Sequence, residues 1–392
     1  MYAVSSTWAA AQDSFLAPEG LVEISCYVPA LNNVLVYTKR DLLSFTHQQT
    51  GSLVSGELPK NHITFSLDNS DGKWNPSNPR GVERYLSDRL MVTLRYGCII
   101  NGRKRWIPGG LFYLSEWHTS PNGLEANFTA RDVFEYMIDT PYTGEITGTL
   151  YEIAERAIAI AAIPEVNSAT PMVLGASKLG ASVLGWSPTG GVRISEELKK
   201  YSVGDIEYNG QETVAVILQK CANAAGCVMY QDRNGVLVIE KLSYRNTGYV
   251  IPKKLSYAYP EIDFSRPMKN VSVTYNGNEV AVYPYSCTGE TQTLSNDFIA
   301  TKEQAEALAR WVCDSLRSRQ QISGEYRGDP RLDLFDVVSI ENKYGTVAGV
   351  VLTDIKYTFT GAFRTTFSGY IRGSGMAVTV YCGENFAGEG GV

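Results

Sequence analysis

The chain has 392 residues, a formal net charge of −6 and 44% hydrophobic residues, enough apolar material for a sizeable core. The acidic balance argues against a protein that grips nucleic acid through its phosphates, because such binding needs a basic surface. It is compatible with DNA that passes nearby without binding. The 24 tyrosines and 36 glycines are typical of β-rich folds with many turns and large interfaces.

No stretch of the sequence reaches the ~18 uninterrupted apolar residues of a membrane-spanning helix. The N-terminal residues also lack the basic and apolar regions of a secretion signal, so we expect no stable membrane insertion. The cysteines include no CxxC pair, which argues against a zinc site and a disulfide framework and favours scattered buried thiols. The seven are Cys26, Cys98, Cys221, Cys227, Cys287, Cys313 and Cys382.

The first third of the chain has the pattern of strands and turns. Residues 1–20 are mixed and polar and predict an N-terminal arm with a short helix. Asn101-Gly102 is a strong hairpin signal, and Asp68-Asn69-Ser70-Asp71-Gly72 is a dense turn cluster. Arg131-Asp132 opens a short helical turn that runs to Met137. The predicted strands are 22–27, 34–38, 63–67, 90–98, 106–117 and 124–130.

The middle of the chain changes to helical periodicity. Apolar residues between Ile153 and Ala161 lie on one face of a predicted helix, 150–163, which Pro164 ends. A Gly/Ser-rich stretch, 171–193, predicts a long loop or short strands. A second helix, 212–225, has Gly226 at its C-terminal end and is followed by a hairpin, 227–231 and 236–241, around the turn 232–235.

The last third predicts strands around one helix. Strands 270–276 and 279–283 flank the turn Asn276-Gly277-Asn278. A third helix, 301–319, begins with Thr301 and Gln304 in capping-box spacing. A β-meander then follows over 328–371, where residues 337–341, 347–360 and 364–371 alternate or are rich in strand formers.

Taken together, these elements predict an α+β fold that is mainly β. We expect an N-terminal arm at 1–20, a first β domain at 21–140 and a smaller α/β middle domain at 141–250 with its helix-plus-hairpin unit. A second β domain at 251–373 and a C-terminal tail at 374–392 complete the predicted organisation.

The sequence contains no recognisable catalytic, cofactor-binding or metal-binding motif. His47, His62 and His118 have no neighbouring nucleophile or acid in a catalytic pattern. The cluster 68–72 has the oxygen ligands of a calcium loop only in part, because Gly72 and Pro79 stand where ligands are needed. We therefore assign no catalytic, cofactor or metal residue.

Two alternatives remain open at this point. Glu116, Asp132 and Glu135 lie near one another along the chain, and a carboxylate pair would suit a β-rich glycoside or peptidoglycan hydrolase. Five aromatic residues at strand spacing would suit a carbohydrate- or receptor-binding face, although such residues are more often core or interface. These are Trp74, Trp106, Phe112, Tyr113 and Trp117.

Several segments, in order, resemble one family. Residues 65–76, FSLDNSDGKWNP, resemble a loop in the first domain of tail proteins of bacterial viruses, and 124–137 resemble the strand-to-helix exit of that domain. Residues 212–242 resemble the helix-plus-hairpin unit in the middle of phage tail hub proteins. The helix and the entry GDPRLDLFDVV before the last β-meander resemble their second barrel. The family is the phage baseplate or tail-tip hub, which related contractile injection machines share.

This resemblance implies two tail-tube-like β-barrel or sandwich domains that flank the middle domain. It implies a homotrimer, whose six such domains form a ring that matches a six-fold tail tube or distal tail protein above. A three-fold spike, fibre or other baseplate protein would bind below, and DNA would pass through the channel. The protein would belong to the virion, after assembly in the bacterial host cytoplasm. The Gly-rich end, 387–392, gives no reason to expect a built-in cell-wall hydrolase.

Overall fold

The computed structural model describes residues 1–14, 16, 18–31, 33–164, 189–204, 206, 210–244, 246–264, 268–316 and 320–372. Most of the predicted loop 171–193 and the predicted tail 374–392 lie outside the described residues. Within them, the fold is mainly β with four α-helices, which confirms the predicted fold class. The domain boundaries at 20, 140, 250 and 373 stay predictions.

The N-terminal part consists of one helix and seven strands. The helix α1 spans Ser6–Asp13, within the predicted arm, and buries Trp8. The strands pair antiparallel in the order β3-β4-β7-β6-β5-β1-β2. They are β1 (Gly20–Val28), β2 (Asn33–Thr38), β3 (Leu42–Thr50), β4 (Lys60–Asp68), β5 (Met91–Ile100), β6 (Arg103–Thr119) and β7 (Glu125–Arg131).

The middle elements confirm both predicted helices and the hairpin. Helix α2 (Leu150–Ala161) begins with a Thr149–Glu152 capping box and ends at Ala162, two residues before Pro164. A short strand, β8 (Val192–Ile194), precedes helix α3 (Val214–Ala224), which is followed by Gly226 with φ +66°. The hairpin consists of β9 (Val228–Gln231) and β10 (Leu237–Glu240), and β8 pairs parallel with β10.

The next elements include a small sheet covered by a helix. Strands β11 (Asn246–Ile251) and β12 (Glu261–Phe264) come first. Then β13 (Met268–Tyr275), β14 (Glu279–Pro284) and β15 (Glu290–Ser295) form a three-stranded sheet. Helix α4 (Lys302–Ser315) is the predicted third helix. Thr301 caps it as predicted, since its hydroxyl accepts the Gln304 amide at 3.2 Å.

The predicted β-meander is confirmed as three strands, and one additional strand precedes them. The additional strand is β16 (Gln320–Tyr326), and the meander consists of β17 (Val337–Glu341), β18 (Thr346–Phe359) and β19 (Phe363–Ile371). Strand β18 pairs with both β17 and β19, and β19 continues to β16 and β12.

One antiparallel pairing joins the N-terminal and C-terminal strands into a single sheet. The second half of β18 lies beside β3, with Tyr357 opposite His47 and Phe359 opposite Phe45. The resulting path runs β12-β16-β19-β18-β3-β4-β7-β6-β5-β1-β2, with β17 and β11 branching from β18. Among the described strands, no further pairing closes this path into a barrel. We call the β18–β3 pairing the seam.

Two large hydrophobic cores follow from this topology, and a smaller third one lies around Phe335 and Val351. The first packs strands from both ends of the chain, and Phe45, Tyr96, Tyr357 and Phe363 belong to it. The second packs α2, α3 and α4 with the β9–β10 hairpin and β13, so helix α4 shares its core with the middle elements. The thiols of five of the six described cysteines are buried as expected, whereas Cys287 is exposed.

The two β regions repeat one unusual piece of local geometry. Strand β6 has a bulge between Leu114 and Glu116, and β18 has a bulge between Leu352 and Asp354. Each bulge leucine accepts an amide from a residue with positive φ: Leu114 from Arg89 (φ +61°, 2.7 Å) and Leu352 from Phe335 (φ +65°, 2.8 Å). Non-glycine residues rarely adopt this conformation, and its recurrence gives β6 and β18 the same local geometry at their bulges.

The side chain of Arg233 contacts all three parts of the chain. It lies in the β9–β10 turn, and its side chain is only 9% exposed. Its guanidinium donates to the carbonyl of Pro108 in β6 and to the carbonyl of Leu332 before β17, both at 2.8 Å, and forms an ion pair with Asp333. One buried side chain therefore contacts the N-terminal strands, the middle hairpin and the C-terminal strands.

We expect Arg233→Ala to lower the free energy of unfolding by about 3 kcal/mol, because it removes the guanidinium partner of Asp333 and one donor from each of two carbonyls. Denaturant titration followed by circular dichroism measures this loss. Arg193→Ala is the matched control, because Arg193 is 56% exposed and lies 3.8 Å from Glu240. Its loss should lower the free energy of unfolding by about 0.5 kcal/mol or less. Equal losses in the two variants would contradict the role of Arg233.

Candidate functional site

The three histidines occupy different environments and form no catalytic group. His47 faces the core from β3, where its ring nitrogens contact the Tyr96 hydroxyl at 2.5 Å and the Asn61 side-chain oxygen at 2.8 Å. Burial lowers the pKa of His47 to about 3, so the ring is neutral near pH 7. His62 is half-buried on the opposite face of the sheet, and His118 is exposed near the end of β6.

The three acids that lie close together in the sequence have separate roles in the structure. Asp132 is buried and caps a short 3-10 turn, since one of its carboxylate oxygens accepts the Phe134 amide at 3.1 Å. Glu135 follows in the same turn, 3.7 Å from Arg131. Burial raises the pKa of both carboxyls. Glu116 is exposed on β6 instead, so these three acids do not line a common cleft.

The turn cluster 68–72 holds a loop in place. The Asp68 carboxylate accepts the Ser70 amide at 3.0 Å and the Ser70 hydroxyl at 3.1 Å. The buried Asn69 side chain accepts the Trp74 amide and donates to the Gly123 carbonyl, both at 2.9 Å. These are the bonds of an Asx-rich turn that fastens the loop to the β6–β7 connection.

The five aromatic residues considered for a binding face do not form one. Trp74, Phe112 and Tyr113 are buried, and Trp74 packs edge-on against Phe128 with ring centres 5.0 Å apart. Trp106 and Trp117 are half-buried on β6. Most of this aromatic surface therefore belongs to the core.

A polar surface runs across the seam on the side of the sheet that faces away from the core. Thr358 of β18 lies opposite Thr46 of β3, Thr46 opposite Thr64 of β4, and Thr64 opposite Thr129 of β7. This row of threonines crosses four neighbouring strands. The same face also carries Ser44, Gln48, Ser66 and Asn127, all half-buried. We call these eight residues the hydroxyl wall.

The hydroxyl wall borders one group of positive charges. His62 lies opposite Arg131, with Lys60 two residues before it on β4. Lys356 lies on β18, two strands from β4, opposite Gln48 of β3. Partial burial is the main cause that lowers the pKa of His62, and Arg131, Lys356 and Lys60 lower it further. Asp354, Glu116 and Glu325 lie on the same face, so charges of both signs border an uncharged centre.

Comparison with known proteins shows what this architecture is similar to. No protein-family model and no curated protein matches the sequence. The 43 kDa tail protein of prophage MuSo2 from Shewanella oneidensis matches in structure with a TM-score of 0.56 and 13% identity, over 90% of this chain and 98% of that chain. The tail protein from Neisseria meningitidis MC58 matches with a TM-score of 0.58 and 12% identity, over 91% and 97%.

The chain has the fold of phage tail proteins. A chain of the lidded Francisella PdpA–VgrG complex also matches this tail-protein fold, with a TM-score of 0.51 and 8% identity, over 92% of this chain and 54% of that chain. The resemblance drawn from the sequence motifs is thus confirmed for the fold. Identities this low leave activity and partners to be argued from the chain itself.

The tail-protein fold places the sequence motifs at structural joints. The GDPRLDLFDVV segment holds Asp333, the partner of Arg233, and the Arg331 carbonyl, which accepts the Tyr2 amide at 2.8 Å. Gly328 there has φ +91°, and a Cβ would lie 2.2 Å from the Thr365 hydroxyl oxygen, so only glycine fits.

None of the described helices is long and apolar enough to cross a membrane.

Sequence inspection missed strand β3, and with it the seam and the hydroxyl wall. The core positions of β3 are Phe45, His47 and Gln49, of which only the first is apolar. The usual alternation of apolar and polar residues is therefore hidden. The alternation of Ser44, Thr46 and Gln48 with these larger residues was the available signal.

We expect the buried His47 to make stability fall in acid. Its folded pKa, about 3, lies below the unfolded value of about 6.5, so the unfolded state binds the proton first. The stability that depends on neutral His47 is fully present above pH 6.5. As the pH falls from about 6.5 to 3, the free energy of unfolding decreases by at most about 1.4 kcal/mol per pH unit.

Unfolding titrations between pH 7 and pH 4 on the wild type and His47→Gln check this expectation. The variant should show a shallower fall in unfolding free energy with decreasing pH, and the difference between the two slopes isolates His47. Identical slopes for the wild type and His47→Gln would show that His47 is not the buried neutral group described.

Proposed function

We propose that this protein is a non-enzymatic structural hub of a phage tail tip or baseplate, or of a related injection machine. The single observation that carries the proposal is the seam, where two β regions with the same bulge geometry are joined edge to edge. A chain built in this way supplies two consecutive segments of a larger curved sheet. The tail-protein fold agrees with that role.

The proposed assembly is a homotrimer. Two repeats in each of three chains give six repeats around a three-fold axis. Such a ring fits a six-fold tail tube or distal tail protein on one side and a three-fold spike, fibre or other baseplate protein on the other. The Francisella structure named above is itself a complex of two different proteins, which supports a fold that works among partners. The protein would be a virion component, assembled in the host cytoplasm.

In this assembly the hydroxyl wall would line the channel through which DNA passes. Threonine, serine and amide side chains present hydrogen-bonding groups without net charge, so they offer no strong grip on phosphates. The charges at the border of the wall have both signs, and the whole chain carries −6. A polar, weakly charged surface allows DNA to move past without being held.

The alternatives have less support from the described residues. A hydrolase needs two carboxylates across a cleft, whereas Asp132 caps a turn and Glu116 is exposed elsewhere. A glycan-binding face needs exposed rings, whereas Trp74, Phe112 and Tyr113 are buried.

Native mass spectrometry of the full chain tests the proposal. We expect an assembly with three times the 43.1 kDa of one chain, since two repeats per chain close a six-repeat ring only with three chains. The species should persist when salt is raised, because strand pairing and apolar contacts hold it rather than surface ion pairs alone. A protein that stays monomeric at its highest soluble concentration, or a symmetric dimer, would contradict the ring.

A further inference from the structure

The equivalence of β6 and β18 carries an inference about how one copy meets the next. Counted from their bulges, Glu116 corresponds to Asp354, Trp117 to Ile355, His118 to Lys356 and Thr119 to Tyr357. The pairings with the following strand agree, because Trp117 lies opposite Phe128 of β7 and Ile355 opposite Phe367 of β19. The two strands therefore present the same backbone edge after the bulge.

That edge is covered in one repeat and open in the other. In β18, residues 354–359 pair with β3 at the seam. In β6, pairing with β5 ends at Tyr113, and no described strand lies beside residues 116–119 on that side. An open strand edge is a template for pairing with another chain.

Strand β12 is the counterpart of β3 and also has an open edge. Strands β4 and β16 are equivalent. Strand β3 lies beside β4, just as β12 lies beside β16. His47 is opposite Ile63, and Ile262 is opposite Ile322, which makes His47 and Ile262 equivalent positions. On its other side β3 receives β18, whereas β12 has β16 as its only partner among the described strands.

We propose that β6 of one copy pairs antiparallel with β12 of a second copy and so repeats the seam between chains. This joint rests on the proposed ring and specifies its contact. At the seam, Lys356 lies opposite Gln48 and Tyr357 lies opposite His47. The same register between two chains places His118 opposite Asp263. It also places Thr119 opposite Ile262. The contact is head to tail, so the same joint can recur around a closed ring.

The side chains at these positions fit the transferred register. His118 and Asp263 are both exposed, and within the described part of one chain neither side chain forms an ion pair or a hydrogen bond. Placed opposite each other, they match a proton donor with a carboxylate. On the core side, Trp117 and Ile262 are half-buried and pack at the margin of the first core. A neighbouring strand would cover the apolar surface that each still exposes.

The charges on these edges also select the register. The nearby acids Glu116 and Glu261 would lie away from each other in the proposed alignment, since Glu261 falls opposite Ser120. A shift of the strands by one residue would move Trp117 and Ile262 to opposite faces of the sheet. The joint is therefore specified both by burial and by charge.

Cysteine cross-linking tests the register. The variant carries His118→Cys and Asp263→Cys in a background with Cys287→Ser and Cys382→Ser. Directly opposite residues on antiparallel strands have Cβ atoms about 4.5–5.5 Å apart, close enough for oxidation to a disulfide with a small movement. We expect mild oxidant to convert most of the protein to covalent trimer on non-reducing gels.

The matched control pairs Asp263→Cys with Arg103→Cys, because Arg103 is exposed at the far end of the same strand. It should stay uncross-linked. Native mass spectrometry of both variants before oxidation separates the possible failures. A trimer in which the 118–263 pair does not link, or links no better than the control, overturns the joint and leaves the ring standing. A monomer contradicts the ring and the joint together.

Discussion

The antiparallel pairing of β18 with β3 is the constraint on which the rest of the molecule depends. It joins strands about 300 residues apart in sequence, with Asp354 opposite Thr50 at one end and Phe359 opposite Phe45 at the other. Because side chains alternate between the faces of a strand, this one register decides which residues enter the core and which form the hydroxyl wall. It places His47, Tyr96 and Tyr357 together in the interior and the threonine row on the other face. Arg233 then fixes the middle elements against both halves of the sheet.

Local signals in the sequence predicted much of the fold, and long-range pairing accounts for most of what they did not. Helix α2 has a capping box, one apolar face and a proline stop, and the β9–β10 hairpin has an Asx-Gly turn, so both follow from neighbouring residues. Strand β3 carries polar His47 and Gln49 at core positions, which its own sequence cannot explain. The burial of His47 makes sense only once Tyr96 and Asn61 are seen beside it. The role of Arg233 was equally hidden, because its acceptors come from two distant segments.

The hydroxyl wall is a polar surface with an uncharged centre, which is what the proposed channel lining requires. The hydroxyl wall offers small polar groups on a rigid sheet whose other face is packed into a core. The motifs that resemble tail proteins act at joints: Asn69 fastens a loop, and the segment 328–338 anchors the N-terminal arm and Arg233. The sequence thus concentrates its distinctive residues where strands and segments meet. The same bulge recurs at Leu114 and Leu352, which is the repetition that the proposed ring requires.

The central claim is that the two β regions of one chain are consecutive segments of a ring. A cryo-electron microscopy reconstruction of the assembled full-length protein tests it most directly. The account predicts three chains around a pore, six copies of the bulge geometry, a continuous sheet across each β18–β3 seam and threonine rows directed at the pore. A reconstruction in which the two β regions of a chain lie apart, or in which the hydroxyl wall is buried against another subunit with no pore beside it, would contradict the account.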